Sequence, residues 1–254
     1  MKLINTLGNL INHIPNNELI FRTCRRYVNH YKSENNCDLN TNGELHLLQE
    51  VLPNCAVVFD VGANVGDWAA LALGINSDLN IHCFEPSVAT YQTLQSRGLT
   101  GTLVLNNLGL GSIQGDRTLH VFSDGAGTNS VYRREGINAV QSKTEQIRLT
   151  TLDAYCQQAK VDQIDLLKLD VEGHELDVLK GAQAMLAKGQ IKRIQFEYGG
   201  TYIDARILLK DLFDLLLPYG YKIYKIYPSS LHHDVRYDQV LENFQYANYI
   251  AIHS

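Results

Sequence analysis

Acidic and amide side chains recur along this chain, each at the end of a short apolar run: Asp60, Glu85, Asn106 with Asn107, Asp170 and Glu197. A carboxylate at a buried strand tip costs free energy unless it is paired, so a set of them is hard to explain as packing. In an open parallel sheet, ligands bind outside the carboxyl ends of the strands, and these are the positions the set occupies. The most informative stretch is Val57 to Trp68, reading Val-Val-Phe-Asp-Val-Gly-Ala-Asn-Val-Gly-Asp-Trp. A buried strand runs there into a turn with Gly62 and Gly66, which let backbone approach a ligand at the free N–H groups of a new helix. Where a nicotinamide-type Gly-x-Gly-x-x-Gly needs its second glycine, this chain has Asn64, which disfavours a nicotinamide dehydrogenase. The acid at the strand end suits hydroxyl or ammonium recognition better than pyrophosphate. A nucleoside cofactor without phosphate, S-adenosylmethionine, is the expectation.

Glu85 follows Asp60 by about 25 residues, close to the spacing at which dinucleotide folds place their ribose acid. A carboxylate there accepts from both ribose hydroxyls. Asp60, Gly62, Asn64 and Gly66 are expected at the methionine end, and Pro86 with the segment from Asn106 through Asn107 to Leu108 against the adenine. Asp170 is placed where methyl and acceptor meet. Methyl transfer is an in-line displacement, so the enzyme chiefly positions the nucleophile, and an alcohol also needs its proton removed. Asp170 could take that proton itself, or hold a divalent cation such as Mg with Glu197 as a hard-oxygen pair. His174 titrates in the right range for a general base. Lys168, inside a strand, is expected to pair with a carboxylate.

The elements that position these residues alternate strand and helix from Val57 onward, which implies a parallel sheet covered on both faces. Strands are expected at Val57–Val61, Asn80–Phe84, Leu103–Asn106, Leu166–Leu169 and Ile191–Phe196. Tyr221–Ile226 and Tyr246–Ile252 follow as an antiparallel pair closing an edge. Arg117–Phe122 and Ile147–Thr150 frame a hairpin-like insertion, with the loop from Ser123 to Ser130 as a lid over the acceptor. One helix is expected over Glu175–Leu186. Residues 1–50 read as an amphipathic helical extension on the acceptor side, with Leu3, Leu7, Leu10, Ile11 and Ile14 at helix spacing, and 51–254 as the catalytic domain. Asn35–Gly43 reads as a polar linker. His232-His233-Asp234 reads as a polar loop, because adjacent side chains on an extended segment point oppositely.

Composition sets the outer limits. The chain has 254 residues, 45% hydrophobic and 19% charged, with a net charge of −5, ordinary for a globular protein and poor for a sequence-independent grip on nucleic acid. Five scattered cysteines read as reduced thiols. With no apolar run of membrane-spanning length and no signal-peptide pattern, a cytoplasmic protein is expected.

Four blocks carry a resemblance. Asp60-Val-Gly-Ala-Asn-Val-Gly66, Phe84-Glu-Pro86, Thr151-Leu-Asp153 and Lys168-Leu-Asp-Val-Glu-Gly-His-Glu175, the last followed by Leu179-Lys-Gly-Ala182, resemble the FkbM family of methyltransferases. Asn42-Gly-Glu44 is similar to that family's lead-in. The resemblance spans roughly Asn42 to Glu197. It implies a class I, Rossmann-like α/β fold, with a mostly parallel seven-stranded sheet and an antiparallel last strand. It also implies O-methylation of a hydroxyl on a sugar, glycan or secondary metabolite. N-methylation of an amide or amine and a non-catalytic cofactor-binding subunit stay open as alternatives.

Overall fold

The computed structural model describes residues 16–122, 129–133, 143–231 and 235–254. The expected helix before Pro15, most of the 123–130 loop and the His232-His233-Asp234 segment lie outside the described residues. Elements follow in the order α1 (Glu18–Lys32), α2 (Glu44–Val51), β1 (Val57–Val61), α3 (Asp67–Ile75), β2 (Asn80–Phe84), α4 (Val88–Ser96) and β3 (Thr102–Asn106). Then come β4 (Gly109–Leu110), β5 (Gly115–Val121), β6 (Lys143–Thr150), α5 (Leu152–Ala159), β7 (Leu166–Leu169), α6 (Glu175–Lys180) and α7 (Gln183–Ala187). The chain ends with β8 (Arg193–Tyr198), α8 (Thr201–Ala205), α9 (Leu209–Leu216), β9 (Tyr221–Tyr227), β10 (Ser230–Leu231) and β11 (Ala247–His253).

The main sheet has the order β10-β9-β11-β8-β7-β1-β2-β3. Without the two-residue β10 it is a seven-stranded sheet in which β1, β2, β3, β7 and β8 pair in parallel. This is the expected class I arrangement. The expected antiparallel pair of β9 and β11 closes one end of the sheet, and within it β11 lies between β9 and β8, antiparallel to both. Its run Ala247 to Ala251 is buried throughout, which suits an interior strand and not an edge.

Two apolar layers cover the sheet. Phe59, Leu167, Leu169, Phe196 and Tyr249 face one layer, packed against α5 to α9. Val58, Ile81, Leu166 and Ile250 face the other, against α2 and α3. Leu47, Leu48 and Val51 of α2 are buried in that second layer, so α2 is part of the sheet's cover. In contrast, no residue of α1 is buried. The expected long helix after β7 is split into α6 and α7 at Gly181-Ala182. Asp153 is the reason: its carboxylate accepts from the N–H groups of Ala184 (2.8 Å) and Met185 (3.0 Å), capping a new helix start. Thr151, two residues earlier, caps α5 through the Ala154 N–H. The insertion forms a second sheet, β4-β6-β5, with its own small cluster of Leu119, Val121, Ile147 and Leu149.

None of the five cysteines is bridged. Among the described residues, no helix is long and apolar enough to cross a membrane.

Candidate active site at the carboxyl ends of the strands

Because side chains alternate along a strand, Asp60 on β1, Lys168 on β7 and Gln195 on β8 share one face of the sheet and lie side by side in register. The Lys168 ammonium sits 3.2 Å from Asp60 Oδ1 and 3.3 Å from Asp170 Oδ2, at the strand tip. Burial alone would lower the lysine's proton affinity, but Asp60, Asp170 and Glu44 outweigh it and hold Lys168 charged. Asp60, expected at the methionine end, is wholly buried and lines neither of the two cavities described below. It anchors Lys168, which in turn orients Asp170.

The β1 turn is built on close approach. Gly62 has φ +84°, and a Cβ there would stand 1.9 Å from the Asp170 carbonyl oxygen, so only glycine lets the β1 and β7 tips touch. Gly66 also has positive φ, but its neighbour is the Leu94 side chain and it lines neither cavity, which assigns it to α3–α4 packing. Asn64 takes a left-handed conformation (φ 47°) and donates its backbone N–H to Glu85 Oε2 at 3.0 Å. Glu85 Oε1 accepts from the Ser87 N–H at 2.9 Å. Burial outweighs these two donors and pushes the Glu85 carboxyl up to about 7. Asn107 does not line the cavity either. Its amide donates to the carbonyls of Glu85 and Pro86, both at 3.0 Å, fixing the loop that presents them.

Two cavities open beside these residues. The first spans about 710 Å³ including its solvent-open mouth and is walled by Gly62, Asn64, Glu85, Pro86, Leu110 and Leu149, with Asn129, Ser130 and Val131 also lining it. The described end of the 123–130 loop therefore borders this cavity, and Ser130 Oγ donates to the Glu172 carbonyl at 2.9 Å. Glu145 on β6 accepts from the Val88 N–H, holding the small sheet against the start of α4. The second cavity spans about 1090 Å³ including its solvent-open mouth and is lined by Cys37, Glu44, Trp68, Lys168, Glu197, Tyr246 and Asn248. Gly62, Asn64, Asp170 and Glu172 line both.

Glu44 at the start of α2, absent from the site expected by sequence, anchors the second cavity. Its carboxylate accepts from Gln195 Nε2 (2.6 Å), Asn248 Nδ2 (2.9 Å) and Asn42 Nδ2 (2.7 Å). The signal was present as Gln195 and Asn248, polar residues within buried strands. The Asn35–Gly43 stretch is more than a linker: the Asn35 N–H bonds the Tyr246 carbonyl, and Cys37 and Leu39 face the cavity.

Glu197 lines the second cavity, as expected. Burial, then the negative neighbours Asp170, Glu172, Glu175 and Glu44, raise it well above the usual carboxylate range. Among the described residues, no group of three or more metal-donor side chains is arranged to hold an ion. Asp170 instead faces the Lys168 ammonium, so the expected divalent cation at Asp170 and Glu197 finds no support in the donor set. His174 lines only the first cavity. Its Nδ1 lies 3.2 Å from Tyr132 Oη and 3.5 Å from Asp177, burial lowers its proton affinity, and its buried Nε2 has no partner. Glu175, in the first turn of α6, is 1% exposed and accepts from the N–H groups of Val171 and Gly173. It braces the loop that carries Asp170, and burial raises its carboxyl to about 8.

The first cavity fits a nucleoside. Glu85 offers a carboxylate already aimed by two backbone donors, Pro86, Leu110 and Leu149 supply an apolar slot, and Asn64 Oδ1 is buried without a partner at the junction. S-adenosylmethionine would be held by those residues.

A family model described as the methyltransferase FkbM domain matches residues 60–223. The chain is 29% identical over 169 residues to the hexuronic acid methyltransferase AglP of Haloferax volcanii, covering 66% of each protein. It is 24% identical over 193 residues to the 2-O-methyltransferase NoeI of Sinorhizobium fredii, covering 70% of this chain and 77% of that one. Methyltransferase sdnD of Sordaria araneosa is 33% identical over 160 residues, 51% of this chain and 61% of that one. The match thus spans just under two thirds of AglP and 61% of sdnD. With a family model over more than half its length, the chain belongs to the FkbM family of S-adenosylmethionine-dependent methyltransferases.

Proposed function

We propose that this protein transfers a methyl group from S-adenosylmethionine to a hydroxyl oxygen of a sugar or secondary metabolite. The observation that carries this reading is the meeting of two cavities at Gly62, Asn64, Asp170 and Glu172. One has the carboxylate and apolar slot a nucleoside needs; the other is polar and rich in carboxylates. The bound cofactor supplies an electrophilic methyl on a sulfonium. The protein's part is to present an acceptor oxygen to it and take up its proton.

Asp170 is the residue for that proton. It lies at the junction, its side chain is 38% exposed, and the Lys168 ammonium fixes it from behind. Glu197, whose proton affinity burial and the neighbouring carboxylates raise, is less suited than Asp170 to take up that proton. His174 lines the nucleoside side, its ring held by Tyr132 Oη at Nδ1, and serves there as part of the cofactor wall. The names of two relatives, a hexuronic acid methyltransferase and a 2-O-methyltransferase, support a hydroxylated ring as acceptor.

Label transfer from methyl-labelled S-adenosylmethionine to a panel of glycosides tests the reading. Asp170→Asn should lower kcat by about 10²–10⁴-fold while S-adenosylhomocysteine affinity stays within about threefold. A variant with near-normal kcat would remove Asp170 from the chemistry.

A further inference from the structure

Helix α1 presents its apolar side to water. Ile20, Cys24, Tyr27 and Tyr31 follow one another at steps of four, three and four residues, with Phe21 and Val28 beside them, so they form one stripe along a 15-residue helix. Such a stripe ordinarily lies against the body of a protein. Here Ile20, Phe21, Tyr27, Val28 and Tyr31 are 44–71% exposed, and Cys24 is exposed with them. The groove between α1 and the body is lined instead by Arg22, Arg25, Arg26 and Asn29, with Pro228 among its walls. The helix is nonetheless held at both ends. The Asn17 side chain caps its start, and just past its end the buried Glu34 carboxylate accepts from Lys225 Nζ and Asn243 Nδ2, both at 3.0 Å.

We propose that α1 is an interfacial helix that seats the protein on an anionic bilayer surface, its stripe among the acyl chains and its arginines at headgroup level. Charge selects this occupant. Arg22, Arg25, Arg26 and Lys32 stand against Glu18 as the single acid of α1, in a chain whose net charge is −5. Glu18 is already engaged by Arg22 at 2.7 Å. A second copy presenting the same stripe would set two basic helices side by side with no acid of α1 left to pair them, whereas an anionic surface attracts every one of these cations. Arginine and lysine stems can lie along the apolar side while their heads stay among the headgroups. Tyr27 and Tyr31, with ring centroids 6.4 Å apart, have the apolar body and polar tip that suit the boundary between acyl chains and water. A helix with an apolar stripe and a basic opposite face lies on a bilayer and does not cross it.

The test is co-sedimentation of the full chain with vesicles of phosphatidylglycerol and phosphatidylcholine in equal parts, and with phosphatidylcholine alone. Affinity for the anionic vesicles should be about tenfold or more above that for the neutral ones, and raising salt from about 0.1 M to about 1 M should remove the difference. Ile20→Gln, Tyr27→Gln and Tyr31→Gln together should lower affinity for anionic vesicles about tenfold or more, with the thermal melt unchanged because these side chains are exposed. Arg25→Gln with Arg26→Gln should bring the anionic and neutral affinities to within about threefold of each other. Absence of binding to anionic vesicles, equal binding to both compositions, or full binding by the triple variant overturns the inference. So does a dimer in light scattering that the same triple variant dissociates, which would give the stripe to a second copy.

Discussion

Replacing Glu85 by Gln probes the cofactor site most sharply. Both carboxylate oxygens are aimed before any ligand binds, Oε2 by the Asn64 N–H at 3.0 Å and Oε1 by the Ser87 N–H at 2.9 Å. A ribose diol adds two hydroxyl donors to this charged acceptor, each worth about 1.5–3 kcal/mol. Glutamine keeps one acceptor and turns an NH₂ toward a backbone N–H, so a net loss of about 2–4 kcal/mol is expected. That is roughly 30- to 1000-fold in S-adenosylhomocysteine affinity. The pH dependence adds a second signature. Burial holds the Glu85 carboxyl up to about 7, so below that pH the free protein carries a proton that ribose binding must expel. Affinity should be flat at high pH and fall as pH drops through 7, by up to about tenfold per unit, and Glu85→Gln should abolish this slope. Isothermal calorimetry from pH 8 to 6 measures both, with a thermal melt to establish that the variant is folded. Unchanged affinity in Glu85→Gln, or wild-type binding independent of pH, would refute the assignment.

Three further outcomes follow from the same geometry. Lys168→Met leaves the buried Asp60 without its ammonium and should cost about 3–5 kcal/mol in urea unfolding, part of it regained by adding Asp60→Asn; full stability in the single variant would contradict the pairing. Glu175, whose carboxyl burial raises from 4.5 to about 8, holds a proton in the folded state that the unfolded chain has released. Its contribution is therefore complete below 4.5 and is lost as pH rises to 8, by up to about 1.4 kcal/mol per unit, and Glu175→Gln should remove that slope from the stability curve. His174→Ala should raise the KM for S-adenosylmethionine about tenfold and leave kcat within about twofold; the reverse pattern would restore His174 as a base.

The strand tips were legible in the sequence because a buried parallel strand is a continuous apolar run and its polar end stands out. Glu85, Pro86 and Asp170 stand at those tips and line cavities. What the sequence could not decide was which tip residues face a ligand and which face protein. Asp60 in β1 and Gly66 and Asn107 in the loops each meet a protein partner: the Lys168 ammonium, the Leu94 side chain, the Glu85 and Pro86 carbonyls. Spacing along one strand cannot reveal a partner more than a hundred residues away, as Lys168 is from Asp60. Glu44 escaped for the same reason, since its partners Gln195 and Asn248 come from strands at the far end of the chain. The place of β11 inside the sheet was likewise a matter of pairing, which its uninterrupted apolar run only hinted at.

The central claim is that a nucleoside site at Glu85 and an acceptor cleft at Glu197 meet at Asp170. A structure of the complex with S-adenosylhomocysteine tests it most directly. Ribose hydroxyls on Glu85, adenine beside Pro86 and the sulfur at the Gly62–Asp170 junction, facing the cleft, are the predicted result. A nucleoside lodged among Glu44, Gln195 and Glu197, with the Glu85 cavity empty, would contradict it.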